Sequence, residues 1–212
     1  MKKLLSLWAV SLFSFAVTAE NYKEGVHYEV ISEQATKSPE IKEFFSFYCG
    51  HCFRFEPLAK RFKEISSDNG FTFKKSHVDF LRAAGPDIQF MLTKASVTAD
   101  FLNVPAVNDA IFNHIHNNRS VFKDKNDVRQ LFIANGVDGD KFDKTFDSFP
   151  VKAAANQMRN AQNDLVSKRV LAGVPTFIVN GKYKINNKGF TAKTYNELFK
   201  QIEELALQLA KK

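Results

Sequence analysis

The chain has 212 residues and a formal net charge of +7 at pH 7. This length allows one elaborated domain or two small ones. The basic residues are spread along the chain without a dense block, which indicates solubility and excludes a nucleic-acid-binding segment. The chain contains two cysteines, which excludes a fold held together by several disulfide bonds.

Residues 1–19 are predicted to be a cleavable secretory signal peptide. A basic start precedes an apolar run over residues 4–17, and Val17-Thr18-Ala19 supplies small residues for cleavage. The run is short for a membrane span, and an uncleaved anchor is the alternative. Export would bring the chain into an oxidising compartment where structural disulfides are allowed. Both cysteines nevertheless lie in one motif, so the fold is expected to be held by its core.

Two strands are predicted before that motif. Residues 28–31 form the first, and a polar turn around Pro39 leads to the second. Residues 41–48 are almost all aromatic or apolar without alternation, a pattern typical of a strand buried on both faces of a mainly parallel sheet. Cys49 and Cys52 follow at its carboxyl end, where such sheets place their chemistry.

A helix is predicted directly after the strand, because apolar residues recur at helical spacing from Phe53 onward. Cys49 would then cap the helix N-terminus, where backbone amides and the helix dipole stabilise a thiolate. The charge of a protonated His51 would stabilise it further. Cys52 lies less than one turn away, close enough for a disulfide with Cys49 and less exposed. The spacing therefore predicts a redox-active pair with Cys49 as attacking sulfur and Cys52 as resolving sulfur.

A lone C-x-x-C also occurs in structural disulfides and in metal sites, and these are the alternatives. A zinc site needs two further ligands. His27 and His77 are isolated, and His114 and His116 lie on what is predicted to be an ordinary helix. No metal site is therefore predicted.

The dithiol helix contains Pro57, which either kinks the helix or marks its early end. A strand is predicted at residues 71–80. Helical patterns then continue for about ninety residues and predict short amphipathic helices that pack together as an all-helical insert. Their apolar faces are formed by Ile88, Met91, Leu92 and Ala95, by Val107, Ala110, Ile111 and Ile115, by Val128, Leu131 and Phe132, and by Phe142, Phe146 and Phe149.

The last part of the chain returns to the sheet. The longest helical pattern begins at Pro150 and ends before Gly173. Residues 175–179 and 182–185 are predicted to form a hairpin with a tight turn at Asn180-Gly181. A final helix begins at a capping box formed by residues 194–197.

Two separated motifs resemble those of the DsbA-type periplasmic thiol:disulfide oxidoreductases, a branch of the thioredoxin superfamily. Residues 43–52 resemble that family's active-site segment, and residues 173–183 resemble its second segment. Pro57 lies where thioredoxins keep a helix-kinking proline, which favours a kink. The resemblance implies an α/β thioredoxin fold with an inserted all-helical domain. The implied division is a thioredoxin-like first part at residues 20–81, a helical insertion domain at 82–157 and a thioredoxin-like second part at 158–212.

The resemblance implies that Cys49 carries the substrate in a mixed disulfide and that Pro175 has a cis peptide bond facing the dithiol. Gly173, Val174 and Pro175 would bind the substrate together with His51. A cis-proline lacks an N–H and exposes the backbone of its neighbour to a substrate strand. The alternative is a Val-Pro pair that merely starts an edge strand.

The resemblance also implies that Glu43 is a buried acid beneath Cys52. A carboxyl group buried in an apolar strand has a raised pKa and can relay the proton of a leaving thiol. The alternative is a glutamate whose side chain reaches solvent. One departure from the family is Gly50-His51, where the nearest relatives have Pro-His. Protein disulfide isomerases use the Gly-His pair. The reduction potentials of DsbA and protein disulfide isomerase differ by about 60 mV, near 3 kcal/mol for two electrons.

The sequence therefore predicts a monomer in the periplasm of a Gram-negative bacterium that donates its Cys49-Cys52 disulfide to reduced, unfolded exported proteins. It would require no cofactor and bind no nucleic acid. Because the chain has no third cysteine, it needs a reoxidising partner, and the resemblance implies a membrane quinone-linked protein of the DsbB type. The alternatives are a disulfide isomerase or reductase, and a chaperone-like peptide-binding module with a vestigial dithiol.

Overall fold

Five strands and seven helices are formed by residues 22–212, the part of the chain that the computed structural model describes. The predicted signal peptide lies outside the described residues. No helix within them is long and apolar enough to cross a membrane. The elements are β1 (Tyr28–Val30), β2 (Glu40–Phe45), α1 (Gly50–Ile65), β3 (Thr72–His77), α2 (Pro86–Phe101), α3 (Ala106–His116), α4 (Lys125–Ala134), α5 (Gly139–Phe146), α6 (Phe149–Ser167), β4 (Thr176–Val179), β5 (Tyr183–Ile185) and α7 (Tyr195–Ala210).

The strands of the described residues form one sheet in the order β1-β5-β4-β2-β3. Strand β2, next to the edge strand β3, pairs parallel with β3 and antiparallel with β4, and the remaining pairs are antiparallel. The expectation of a mainly parallel sheet is therefore wrong. An unbroken apolar run requires helices over both faces of a strand, and an antiparallel neighbour meets this condition as well as a parallel one.

Helices do cover both faces of β2. Ile41 points into a core formed with α1 and α7, whereas Phe44 packs on the opposite face with Leu171, beyond the end of α6. Phe45 belongs to a third cluster, in which the insert packs against both cysteines. The dithiol therefore lies where the sheet, α1 and the insert meet.

The boundaries of the first elements differ slightly from the predicted ones. Strand β2 ends at Phe45, because the chain turns before the helix and the Cys49 N–H donates to Ser46 O at 3.0 Å. Helix α1 runs through Pro57 to Ile65, so the alternative that the proline ends the helix early is wrong. Strand β3 is shorter than predicted and ends at His77.

Helices α2 to α5 follow β3, and α6 returns the chain to the sheet, which confirms the α/β fold with a helical insertion. Phe149 was expected on the apolar face of α5. It is instead the first residue of α6 and is 82% exposed. Ser148 caps α6 through its Oγ atom, which accepts from the Val151 N–H, and so interrupts a helical spacing that continues in the sequence.

The predicted hairpin turn is confirmed. Asn180 and Gly181 both have positive φ, 53° and 63°, as a primed turn requires. The Asn180 side chain also accepts from the Glu40 N–H at 2.9 Å and donates to Leu209 O at 3.2 Å. It thereby ties the end of α7 to the start of β2.

Candidate active site

Cys49 caps the N-terminus of α1, as the sequence predicted. Its backbone is extended, with φ of −93° and ψ of 108°, and the helix begins at the next residue. The N–H of Cys52 donates to Cys49 Sγ at 3.1 Å. The sulfur therefore occupies the place of a capping oxygen, at the positive end of the helix dipole.

The surroundings of Cys49 lower the pKa of its thiol to about 7. The largest contribution is the hydrogen bond from the Cys52 thiol, and the backbone amides of Cys52 and His51 and the charge of Arg54 add to it. Burial opposes them because it disfavours the charged form. A substantial fraction of the Cys49 side chains is therefore thiolate at neutral pH, and the thiolate is the nucleophilic form.

Arg54 is a cation near the dithiol that the sequence reading missed. The pattern pointed to the charge of His51, whose exposed ring lies against Arg54, with 3.3 Å between Arg54 Nη2 and His51 Nδ1. Arg54 lowers the pKa of Cys49 through its charge, whereas His51 acts through its backbone amide. The three-residue spacing from His51 to Arg54 on one helix face is a signal that could have identified it.

Cys52 lies in the first turn of α1 and is completely buried. Burial raises its pKa well above that of a free cysteine, and the hydrogen bond to Cys49 and the charges of Cys49 and Glu43 raise it further. The two sulfurs are not bonded to each other in this structure. Within residues 22–212, no group of three or more His, Cys, Asp or Glu side chains could hold a metal ion. The pair therefore combines one readily ionised thiol with one neutral thiol.

The second sequence motif meets the dithiol at Val174. The Cys49 thiol donates to Val174 O at 3.3 Å, and the Val174-Pro175 peptide bond is cis, as predicted. The alternative of an edge strand is wrong, because β4 begins at Thr176 and lies inside the sheet between β5 and β2. A groove of about 820 Å³ opens here, and His51, Gly173, Val174 and Pro175 line its end nearest the dithiol.

Glu43 is completely buried on β2, between β4 and β3, so the alternative of a solvent-exposed side chain is wrong. Burial raises its pKa to about 7, although the charge of Lys75 opposes this effect. Lys75 Nζ lies 3.4 Å from Glu43 Oε2 and forms a closer ion pair with Glu56 Oε1. Neither Glu43 oxygen has a well-formed hydrogen bond to any described residue. The charge of Glu43 acts on Cys52, and that of Cys49 acts on Glu43.

Lys75 and Glu56 were not identified from the sequence. Lys75 lies directly opposite Glu43 in the parallel pairing of β2 with β3, a relation that only the strand register reveals. Glu56 approaches from α1. Because one cation lies between two carboxyl groups, Lys75 can neutralise only one of them, and the charge of Glu56 helps to raise the pKa of Glu43.

Two histidines hold the peptide of Phe47, two residues before Cys49. The Phe47 N–H donates to His77 Nε2 at 3.2 Å, and Phe47 O accepts from His116 Nε2 at 2.8 Å. His77 Nδ1 therefore carries the ring proton and donates to Thr93 Oγ1 at 2.8 Å. Burial lowers the pKa of His77 to about 3, so its ring stays neutral.

The sequence reading missed this role, because His77 looked isolated and His116 looked like an ordinary helix residue. The His116 ring also stacks on Phe53 of α1, with ring centroids 5.2 Å apart. Its Cε1 atom lies 3.8 Å from the position that a Cβ on Gly50 would occupy. Helix α3 of the insert is thereby fastened to the turn that carries Cys49.

A sequence model of the DSBA-like thioredoxin domain matches residues 40–203. The chain belongs to the DSBA-like thioredoxin domain family. Among curated proteins, it is 34% identical to the thiol:disulfide interchange protein DsbA of Dickeya dadantii, over 97% of this chain and 96% of that protein. It is 29% identical to the protein of the same name from Escherichia coli, over the full length of both.

Solved structures agree with the assignment to the DSBA-like family. The crystal structure of the disulfide oxidoreductase DsbA from Proteus mirabilis matches with a TM-score of 0.78 and 32% identity, over 91% of this chain and 98% of that one. A cysteine-to-serine variant of the Proteus mirabilis protein, in complex with the non-covalently bound peptide PWATCDS, matches with a TM-score of 0.76. The fold of this family member is therefore thioredoxin-like with a helical insertion, as predicted.

Arg54→Gln should raise the pKa of Cys49 by roughly half a unit, because it removes a cation near the thiolate. Thiolate absorbance of the reduced protein, followed against pH, measures this value, and the unmodified protein should titrate near pH 7. The control is Arg61→Gln on the same helix, since Arg61 pairs with Glu203 and should leave the titration unchanged. A midpoint in the unmodified protein at the free-cysteine value of about 8.5 would contradict the account.

Glu43→Gln should remove a pH dependence of folding stability. The folded pKa of about 7 exceeds the ordinary 4.5, so this stability contribution is complete below pH 4.5 and is lost as the pH rises to 7. Urea unfolding of the reduced proteins measures this effect. As the pH rises from 4.5 to 7, the free energy of unfolding of the variant should increase by about 2–3 kcal/mol relative to that of the unmodified protein.

The control for Glu43 is Glu40→Gln on the same strand. Burial raises the pKa of Glu40, but hydrogen bonds from Lys74 and Lys42 outweigh it and leave the pKa lowered. The stability that ionised Glu40 contributes is therefore present above its unfolded pKa and is lost as the pH falls. The difference in free energy of unfolding between Glu40→Gln and the unmodified protein should thus change with pH in the opposite direction to that of Glu43→Gln. Parallel curves for the unmodified protein and Glu43→Gln would show that Glu43 ionises normally.

His116→Phe and His114→Phe should differ although they lie two residues apart. Phenylalanine at 116 keeps an aromatic ring on Phe53 but leaves the buried Phe47 O without its donor, which should cost about 1–2 kcal/mol in the free energy of unfolding. His114 Nε2 is buried without a hydrogen-bond partner among the described residues, so His114→Phe should cost nothing or stabilise. Denaturant unfolding compares the two, and equal losses would argue against the Phe47 hydrogen bond.

Proposed function

We propose that this protein is a thiol:disulfide oxidoreductase that forms disulfide bonds in reduced, unfolded proteins exported to the periplasm. The observation that carries the proposal is the inequality of the two sulfurs. Cys49 is stabilised as a thiolate at the start of α1, whereas Cys52 is buried and neutral. A stabilised thiolate favours the reduced enzyme, and a dithiol that is stable in its reduced form makes its disulfide a strong oxidant.

The reaction transfers two electrons and two protons from a substrate dithiol to the enzyme. A substrate thiolate attacks Cys49 Sγ, a substrate–Cys49 disulfide forms, and the Cys49–Cys52 bond breaks with Cys52 leaving as a thiolate. Cys52 then takes up a proton. A second substrate thiolate attacks the substrate sulfur of the mixed disulfide, so the substrate leaves oxidised and Cys49 leaves as a thiolate.

Glu43 is the proposed proton donor to the leaving Cys52. Its carboxyl group has a pKa of about 7, so it can both hold and release a proton at neutral pH. Lys75 and Glu56 neutralise each other when Glu43 is protonated, and the charge of Lys75 stabilises Glu43 when it is ionised. Without such a donor, Cys52 would have to leave as an anion in a completely buried position, which is costly.

The groove beside Val174 is the proposed substrate site, formed by His51, Gly173, Val174 and Pro175. Val174 O lies 3.3 Å from Cys49 Sγ, close enough for an extended segment to pair with this backbone while its cysteine reacts. Because Pro175 has no backbone N–H, it does not compete with the substrate backbone for hydrogen bonds at Val174. The relative from Proteus mirabilis with a bound cysteine-containing peptide supports a peptide-binding role.

The enzyme is proposed to act as a monomer in the periplasm of a Gram-negative bacterium and to be reoxidised by a membrane quinone-linked partner. A partner is needed because the chain has no third cysteine to regenerate the disulfide. A vestigial dithiol would not explain a thiolate held by two backbone amides and a cation, so the chaperone-like alternative is disfavoured. The isomerase or reductase alternative stays open to experiment.

In Cys52→Ser, the Cys49 thiolate should attack disulfides of exported proteins, release one protein thiol and accumulate as mixed disulfides, because the second enzyme thiol is no longer present to expel the bound protein. Cys49→Ser, the matched control, should trap far fewer, since Cys52 is buried and neutral. Non-reducing gels of periplasmic extracts measure both. Equal trapping by the two variants would contradict the assignment of Cys49 as the attacking sulfur.

The unmodified protein should oxidise a reduced substrate protein faster than it rearranges a scrambled one. A faster rearrangement, or reduction of insulin in preference to oxidation, would assign it to the isomerase or reductase class instead. Both assays use the same enzyme preparation, so they separate the classes directly.

A further inference from the structure

The groove beside the dithiol has a cationic rim. Beyond its dithiol end, it is lined by the segment from β5 to the first turn of α7. Three lysines, Lys184, Lys188 and Lys193, lie on this segment, and no aspartate or glutamate lines the groove within residues 22–212. We call this groove, formed by the dithiol end and by the lining residues among 184–198, which do not include Glu197, the lysine groove. A peptide in it would meet positive charge without a compensating acid in the wall.

The three lysines differ in how far their charge is already neutralised. Lys184 Nζ forms an ion pair with Glu29 at 2.9 Å. Lys188 and Lys193 are exposed and form no ion pair with any described residue. The acid near Lys193 is Glu197, whose Oε2 accepts from the Lys193 backbone N–H at 2.7 Å and not from its ammonium group. Two positive charges of the groove are therefore available to a ligand.

The same groove offers an apolar wall formed by Phe190, Tyr195 and Leu198. Tyr195 is 41% exposed, and the guanidinium of Arg54 lies 5.8 Å from its ring centroid. Arg54 thus extends the positive charge from the rim toward the dithiol. The groove combines an apolar contact surface with cations on two sides.

We infer that the lysine groove selects reduced protein segments that carry carboxylates near the reactive cysteine. The inference rests on the proposed function, since it names the substrate class of that site. Opposite charge accelerates encounter and orients the segment, and the effect weakens as salt screens it. The occupant is an extended acidic segment with an aromatic or aliphatic side chain for the apolar wall.

The test uses two twelve-residue peptides, each with two cysteines and one phenylalanine, that differ only in three glutamates replaced by glutamines. The rate constant for oxidation of each by the oxidised protein is measured at low and at high salt. The glutamate peptide should react about 3- to 10-fold faster at low salt, and the ratio should approach one near 1 M salt. Lys188→Gln/Lys193→Gln should bring the ratio close to one at low salt.

The matched control is Lys144→Gln/Lys152→Gln, which removes the same net charge from exposed positions of α5 and α6 outside the groove. It should keep the preference for the glutamate peptide. If both double variants lose the preference equally, net charge and not the groove is responsible, and the inference is overturned.

Dithiothreitol, a dithiol without carboxylates, reports on the dithiol chemistry, and its rate constant with each protein is used to normalise the peptide rate constants. Equal oxidation of both peptides by the unmodified protein would overturn the charge selection and leave the proposed function standing. Failure to oxidise either peptide while dithiothreitol still reacts would count against both the substrate site and the proposed function.

Discussion

The backbone amides at the start of α1 hold the Cys49 sulfur, and much of the local structure serves to keep it there. For Cys49 to cap the helix, β2 must end at Phe45 and the chain must turn within the next residues. The peptide of Phe47 in that turn has no strand partner, so His77 and His116 satisfy its N–H and its carbonyl group. Because His116 comes from α3, the helical insert determines the position of the thiolate as well as covering it.

The same arrangement separates the chemistry of the two sulfurs. Cys49 lies beside Val174 with donors directed at it, whereas Cys52, in the first turn of α1, is completely buried and close enough to Glu43 for that charge to raise its pKa. Burying a carboxyl group here costs stability, and Lys75 with Glu56 offsets part of that cost. The stability cost of burying Glu43 supports a role in proton transfer, since an apolar residue would fill the same space without that cost.

Local signals in the sequence were enough to predict the cap at Cys49, the hairpin at Asn180-Gly181 and the succession of helices. These local signals did not predict the contacts that depend on tertiary structure. Lys75 meets Glu43 through strand register, and His116 meets Phe47 only after the insert packs on the sheet. Phe149 was misplaced because helical spacing continues across Ser148, where a single side chain cap starts a new helix.

The reduction potential of the Cys49–Cys52 couple, measured against a glutathione series, tests the central claim most directly. If the donors at α1 stabilise the Cys49 thiolate as the structure indicates, the potential should lie well above the thioredoxin value of about −270 mV. Glycine at position 50 leaves the turn freer than proline would, so the potential is expected between about −180 and −120 mV, below that of Pro-His relatives. A value at or below about −270 mV would contradict the account, because the reduced form would then have no special stability.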